Sequence, residues 1–410
     1  MKLFDSVWKN TKTCILYLYH LVVKISFNEK ILLIGLYCLS WSIGFLYASH
    51  VIDDSTAIFF IPTTGIIKIP TFWYGNLLGL VAIGVYAICR LGMGVSLSAL
   101  ISLMVSVSPL QLYVLVSSPL RDYARSPSLL FLIWIAGLLL KKPYGRNKIM
   151  SLCFFSGILI SSGMWFRPEA KLYILLFAVL ILFFLPANFN QHFKEKFAAL
   201  GFLVGIQYLT SPVSPHEIPG LSLVAGLMTP FDSQIGIIRS VYDWGYLFLD
   251  EYISANAAIQ GNFSGVLSGL PVAHQLLLKY LIFCPADVII RVLGAAIKIS
   301  QLSFSTLLSP PGLMNPFLLG LYSWRGALLT WLGSFSLAFC ALAWCLIIYR
   351  NARIATFCTL FLLFAASYTS IQFFGRNYFY LEFVGWWLFG YVIQRIFLFL
   401  SACLEERKRV

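Results

Sequence analysis

Positions 31–49 read ILLIGLYCLSWSIGFLYAS, and positions 50–54, directly after, read HVIDD. The first stretch carries no charge over nearly the ~20 residues needed to cross a hydrocarbon core. The second sets His50, Asp53 and Asp54 at its end. Uncharged or nearly uncharged runs recur along the chain, and loops bearing charge separate them. Of the 410 residues 60% are hydrophobic and 11% charged, against the ~25% charged of a typical soluble domain. So few charges could not cover a water-facing surface. The pattern predicts an all-α, polytopic integral membrane helical bundle, one domain over 1–410.

Spans are expected at 31–49, 73–89, 93–115, 127–140, 149–165, 171–187, 197–211, 327–348, 354–373 and 378–402, which is about ten crossings. The short span at 127–140 is expected to begin earlier. Residues 14–27, CILYLYHLVVKISF, are apolar but interrupted by Lys24 and read as an interfacial helix. The first strong span follows a Lys-bearing leader and reads as a retained signal-anchor. Residues 212–326 form a long outer loop rich in proline. Within it, QLLLKYLIFCPADVIIRVLGAAIKI (275–299) carries Lys279, Asp287, Arg291 and Lys298. It suits amphipathic helices lying on the bilayer, with a hidden pair of spans, twelve crossings in all, as the alternative.

Cationic loops resist translocation, so both termini are placed on the cytoplasmic side. Of 29 cations and 16 acids, 18 and 5 then fall inside, and the whole +13 excess lies on that face. This accounts for the basic character without a nucleic-acid partner. The nine cysteines fall mostly within apolar segments, without zinc-type spacing, and read as small buried hydrophobes.

Ionisable groups gather on the opposite, outer side. Adjacent Asp53 and Asp54 at a membrane edge are costly without a cation, a metal or a shared proton. They read as a general base, a metal site or a solvated pair. SSPLRDYARSP (117–127) brings Arg121, Asp122 and Arg125; arginine forks suit phosphate, and they also anchor helix ends. WFRPEAK (165–171) brings Arg167 and Glu169, for phosphate binding or headgroup anchoring. FFGRNYFYLEFVGWW (373–387) brings Arg376, Tyr378 and Glu382. Glu382 would lie about a turn inside the membrane, either as a functional group or as a structural partner of Arg376. In the long loop His216 and Glu217 make a weak metal pair, and Asn262-Phe263-Ser264 is a sequon. No Walker motif and no HExxH occurs, which disfavours ATP-driven transport.

This arrangement resembles the GT-C superfamily of membrane glycosyltransferases, bacterial type, which use polyprenyl-phosphate-linked sugars. The resemblance rests on an acidic motif after the first span (Asp53-Asp54), a second acid between the third and fourth spans (Asp122), and a long outer loop beginning near Ser211. The stretches PLRDYARSP and RPEA are similar to bacterial members. What the resemblance implies is inverting sugar transfer at the extracytoplasmic face of a bacterial inner membrane. The donor would be a lipid-linked sugar and the acceptor a lipid or glycan. Asp53, Asp54 and Asp122 would be the catalytic acids. Arg121, Arg125, Arg167, Glu169, His216, Arg376, Tyr378 and Glu382 would contact substrate. A divalent cation, Mg or Mn, would fall to Asp53 and Asp122 if one is used. Many members end in a soluble outer domain and this chain ends in a short basic tail. The oligosaccharyltransferase signature is missing, so transfer to a lipid, surface glycan or small acceptor is favoured. The competing readings are a surface-glycan polymerase or ligase outside that superfamily, a secondary transporter or flippase, and a scaffold protein without a site.

Overall fold

The computed structural model describes residues 26–51, 56–61, 65–117, 120–185, 193–211, 285–302, 315–370 and 375–407, with isolated positions between 278 and 313. Within them the chain is helical apart from one hairpin. In order, the elements are α1 (Phe27–Val51), β1 (Thr56–Ile61), β2 (Gly65–Pro70), α2 (Phe72–Cys89), α3 (Val95–Ser106), α4 (Pro109–Ser117), α5 (Leu120–Ala124), α6 (Ser126–Lys141), α7 (Arg146–Phe166), α8 (Tyr173–Val179), α9 (Phe193–Thr210), α10 (Pro285–Ser300), α11 (Pro316–Gly333), α12 (Ser336–Arg350), α13 (Ala352–Ser370), α14 (Gly375–Tyr378) and α15 (Phe383–Arg407). A 3₁₀ turn, Pro168–Leu172, leads into α8, and a π-helical turn, Leu180–Phe184, follows it. The interfacial helix expected at 14–27, the sequon and most of the long loop lie outside the described residues.

Among the described residues, five helical stretches are long and apolar enough to cross a membrane: Phe27–Val51, Phe72–Cys89, Asp122–Lys141, Arg146–Phe166 and Phe379–Glu405. Seven are, if each of two bent pairs counts as one span. The polarity of the fold is that of a membrane-embedded protein. Large apolar side chains point outward: Ile34 is 64% exposed, Trp324 67% and Phe399 68%. Small polar ones point inward and bond to backbone. Ser102 Oγ donates to the Ala82 carbonyl at 2.5 Å, and Ser161 Oγ to that of Gln207 at 2.9 Å. In lipid the outward face gains nothing from being polar, so hydroxyls and small residues collect where helices meet.

The α1–α2 contact illustrates this. Gly75 and Gly79 stand one turn apart on α2. A Cβ at Gly75 would lie 2.6 Å from the Trp41 carbonyl oxygen, and one at Gly79 2.7 Å from the Tyr37 ring. Only glycine lets the two backbones approach so closely.

The described residues bear out the all-α expectation, and four findings refine it. First, one hairpin joins the helices, with Thr56 paired to Pro70 and Ile61 to Gly65. Its Ile- and Phe-rich strands are too short to span and favour the extended state. Second, the span expected at 93–115 is two helices, α3 and α4, inclined at 47°. Pro109 has no N–H to continue α3. Ser108 caps α4 instead, its Oγ accepting from the Leu110 N–H at 3.2 Å. Third, the run at 327–348 breaks between α11 and α12 with a 59° bend. A turn at Ser334 and Phe335 follows Gly333, and hydropathy does not register it. α11 also begins earlier, at Pro316, and includes Arg325. Fourth, α10 is amphipathic as expected, but it packs along α13 and also meets α15, rather than lying free on a bilayer. Its Asp287 and Arg291 are buried and bridged at 2.8 Å, while Ile289 and Leu293 face outward. One turn apart, the two charges neutralise each other, which allows that face to turn inward.

Candidate functional site

Two layers of charged groups lie at opposite ends of the helices. At one end Lys141 Nζ donates to the Leu91 carbonyl at 2.8 Å, Arg353 to that of Leu140 at 3.4 Å, and Arg90 bridges Glu29 at 2.8 Å. Arg90, Lys142 and Arg395 lie within electrostatic reach of Lys141. At the other end stands Asp122. Asp122–Lys141 is 20 residues of continuous apolar helix, so the layers are separated by about 30 Å at 1.5 Å per residue. That is the thickness of a hydrocarbon core.

The Asp122 layer is built from three chain segments. α5 holds Asp122 and Tyr123. Arg125 lies between α5 and α6, with Pro127 in the first turn of α6, where a missing N–H costs nothing. Arg167 ends α7 with extended backbone (φ −148°, ψ 120°) because Pro168 follows. That geometry swings its side chain off the helix axis and toward α5. The 3₁₀ turn after it carries Glu169, and the turns before α15 bring Tyr378, Phe379, Tyr380 and Glu382.

Asp122 is fully buried. Its Oδ1 accepts from Arg167 Nε and Nη2, both at 2.5 Å. Arg167 also lies 3.7 Å from Glu169. Glu169 in turn lies 4.0 Å from Arg125, whose guanidinium sits 5.7 Å from the centre of the Tyr380 ring. The result is an alternating chain of charges, Asp122, Arg167, Glu169, Arg125, capped by an aromatic face. The side chain of Arg125 is 2% exposed and that of Arg167 16%, so Arg167 is the more accessible guanidinium.

A second polar group adjoins the first. Ser108 Oγ donates to Glu382 Oε2 at 2.7 Å, and Gln111 Nε2 donates to the same oxygen at 3.3 Å and to the Phe379 carbonyl at 2.8 Å. The Tyr123 hydroxyl donates to Gln111 Oε1 at 3.1 Å while its ring stacks on Phe379, with centroids 5.0 Å apart. Tyr123 therefore joins the two groups. Arg325 on α11 faces Glu382 electrostatically and donates to the Met104 carbonyl at 3.3 Å.

The structure thus brings Asp122, Arg125, Arg167, Glu169, Tyr378 and Glu382 to one end of the bundle. Asp122 bonds to Arg167, 45 residues away, not merely to its neighbours in RDYAR. Glu382 has Ser108 and Gln111 as described partners; the alternative pairing with Arg376 lies outside the described side chains. Asp53, Asp54 and His216 lie outside the described residues, as do the side chains of Arg121 and Arg376. The described backbone nearby is close by: β1, the strand after Asp53-Asp54, lies on α5, and α14, which contains Arg376, lies on α4 and α5. No cluster of three or more His, Cys, Asp or Glu suited to a metal occurs among the described residues.

Sequence reasoning missed Ser108, Gln111 and Arg325. The signal for the first was present: Ser-Pro ahead of an apolar run is a helix start. A glutamine inside an apolar helix is likewise a buried donor that needs a partner. Comparison with protein-family models, curated proteins and solved structures finds no match for this chain.

Proposed function

We propose that this chain is a membrane enzyme of about ten crossings that transfers a sugar from a polyprenyl-phosphate donor to a lipid or glycan acceptor, as the GT-C resemblance implies. Its cation-rich layer would face the cytoplasm and the Asp122 layer the opposite side. One observation carries this reading: at the end of the bundle away from the cation layer, Arg167 and Arg125 are held by Asp122 and Glu169, and Arg167 stays partly accessible. A lipid phosphate leaving in a poorly hydrated site needs fixed guanidinium donors that do not have to reorganise.

Within this reading Asp53 takes the proton from the acceptor hydroxyl, and the acceptor attacks the anomeric carbon from the face opposite the phosphate. Arg167, the more open guanidinium, stabilises the leaving phosphate together with Arg121 or Arg376. Asp122 is a positioning residue that fixes Arg167. A divalent cation, if used, falls to Asp53 and Asp54, because Asp122 is already engaged by Arg167.

The test is transfer from a panel of polyprenyl-phosphate pentoses and hexoses, followed as release of polyprenyl phosphate from purified protein. Wild type is expected to turn over at least one donor. Asp53→Asn should lose about 10²–10⁴-fold, the usual worth of base catalysis, while remaining folded. Wild-type turnover in Asp53→Asn would remove Asp53 from the mechanism. No donor consumed by wild type would remove the reading itself.

A second reading, a secondary transporter, draws on the broken helices at Ser108 and at Ser334 together with the buried Asp287–Arg291 pair. Discontinuous helices and intramembrane charges are transporter features. Proton- or sodium-driven uptake into vesicles, lost in Arg291→Met, would favour it over transfer chemistry.

A further inference from the structure

A cavity among the described residues reaches the cation layer, at the end of the bundle away from Asp122. It has a volume of about 340 Å³ and opens between α2, α6, α12, α13 and α15, within the range of ~300–1,000 Å³ typical of ligand sites. Its walls are almost wholly apolar, with Ile133, Phe357, Phe361 and Trp387 among them, and three cations, Lys141, Arg350 and Arg395, line it as well. No carboxylate lines it among the described residues. The nearby Arg90 is neutralised by Glu29, so the three lining cations carry the local charge. Arg395 stacks on Tyr391, 4.8 Å from the ring centre, and its buried Nε has no hydrogen-bond partner among the described residues.

We infer that this cavity binds an anionic phospholipid of the leaflet on the cation-rich side, its acyl chain between the helices and its phosphate on Arg350, Arg395 and Lys141. The occupant follows from complementarity. A soluble metabolite would not match walls so apolar. A zwitterionic lipid brings its own cation to a rim that already has three. A basic pocket between membrane helices, one end apolar and one end cationic, suits an anionic headgroup on an acyl chain. The inference is independent of the transfer reaction, because the cations that would hold the phosphate lie in the layer about 30 Å from Asp122.

Trp344 and Trp387 line the cavity and supply the probe. The protein is reconstituted in phosphatidylcholine with a minor fraction of dibrominated phosphatidylglycerol or dibrominated phosphatidylcholine, and tryptophan quenching by the bromines is compared. Wild type should prefer the anionic lipid on the order of tenfold or more. The preference should drop several-fold in Lys141→Gln/Arg350→Gln/Arg395→Gln and persist in Arg350→Lys/Arg395→Lys, which keeps the charge. Trp344→Phe/Trp387→Phe should lose the lipid-specific part of the quenching while the other tryptophans still report general contact. Equal quenching by both lipids in wild type would overturn the inference. So would an unchanged preference in the triple variant, once circular dichroism shows both proteins equally helical. Inorganic phosphate that abolishes the preference would also overturn it, by assigning the cations to a free anion.

Discussion

Arg167→Met should destabilise the fold more than Asp122→Asn, although both remove the same ion pair. The asymmetry comes from burial. Asp122 is 1% exposed along its side chain and Arg167 16%. At 2.5 Å and an effective dielectric of about 20, the Coulomb attraction is about 7 kcal/mol, and desolvation offsets several kcal/mol of it. Removing Arg167 takes a bridging guanidinium from a buried carboxylate, and the loss should be about 4 kcal/mol, within the usual range for breaking a buried pair. Removing the charge of Asp122 leaves Arg167 partly hydrated and 3.7 Å from Glu169. The asparagine oxygen still accepts from it, so the loss should be about 1–2 kcal/mol, the scale of a weakened charged hydrogen bond. The double variant should recover part of the loss and leave a coupling of about 3 kcal/mol. The assay is reversible unfolding by sodium dodecyl sulfate in mixed micelles, monitored by circular dichroism, on all four corners of the cycle. Equal losses in the two single variants, or a coupling near zero, would refute the reasoning.

Three further outcomes are expected. Gly75→Leu should destabilise by about 1–3 kcal/mol by forcing side-chain volume into the Trp41 backbone, whereas Gly35→Leu, with nothing within 4 Å of its Cβ, should be near neutral; thermal midpoints in detergent compare them. Ser108→Ala should cost about 2 kcal/mol, because it removes the cap of α4 and a donor to Glu382, and Ser108→Thr should restore most of it in the same unfolding assay. Tyr123→Phe should cost only about 1 kcal/mol, since the stacking on Phe379 survives, and Tyr123→Ala about 3–5 kcal/mol; if Tyr123→Phe equals Tyr123→Ala, the hydroxyl and not the ring joins the two polar groups.

The sequence alone determined that this chain lives in a membrane, roughly where its helices lie, and which cations collect away from the acids. These are properties of transfer from water to lipid, which each residue carries locally. Hydropathy therefore located α1, α2, α7 and α15, and the cations of KKPYGRNK and of Arg90, Arg350 and Arg395 fall in one layer. Arg125, Arg167, Glu169 and Glu382 were legible as candidates because an ionisable group beside an apolar run is conspicuous. What they touch was not legible. Asp122 meets Arg167 across 45 residues, and Ser108 meets Glu382 across 274. The breaks at Ser108 and Ser334, the short hairpin at 56–70 and the inward turn of Asp287 and Arg291 also escaped the composition. In a low-dielectric interior a charge or hydroxyl is stable only where a partner meets it, and the partner arrives through packing. Only the tertiary structure could decide that Asp122 holds an arginine in place and that the cation layer encloses an apolar cavity.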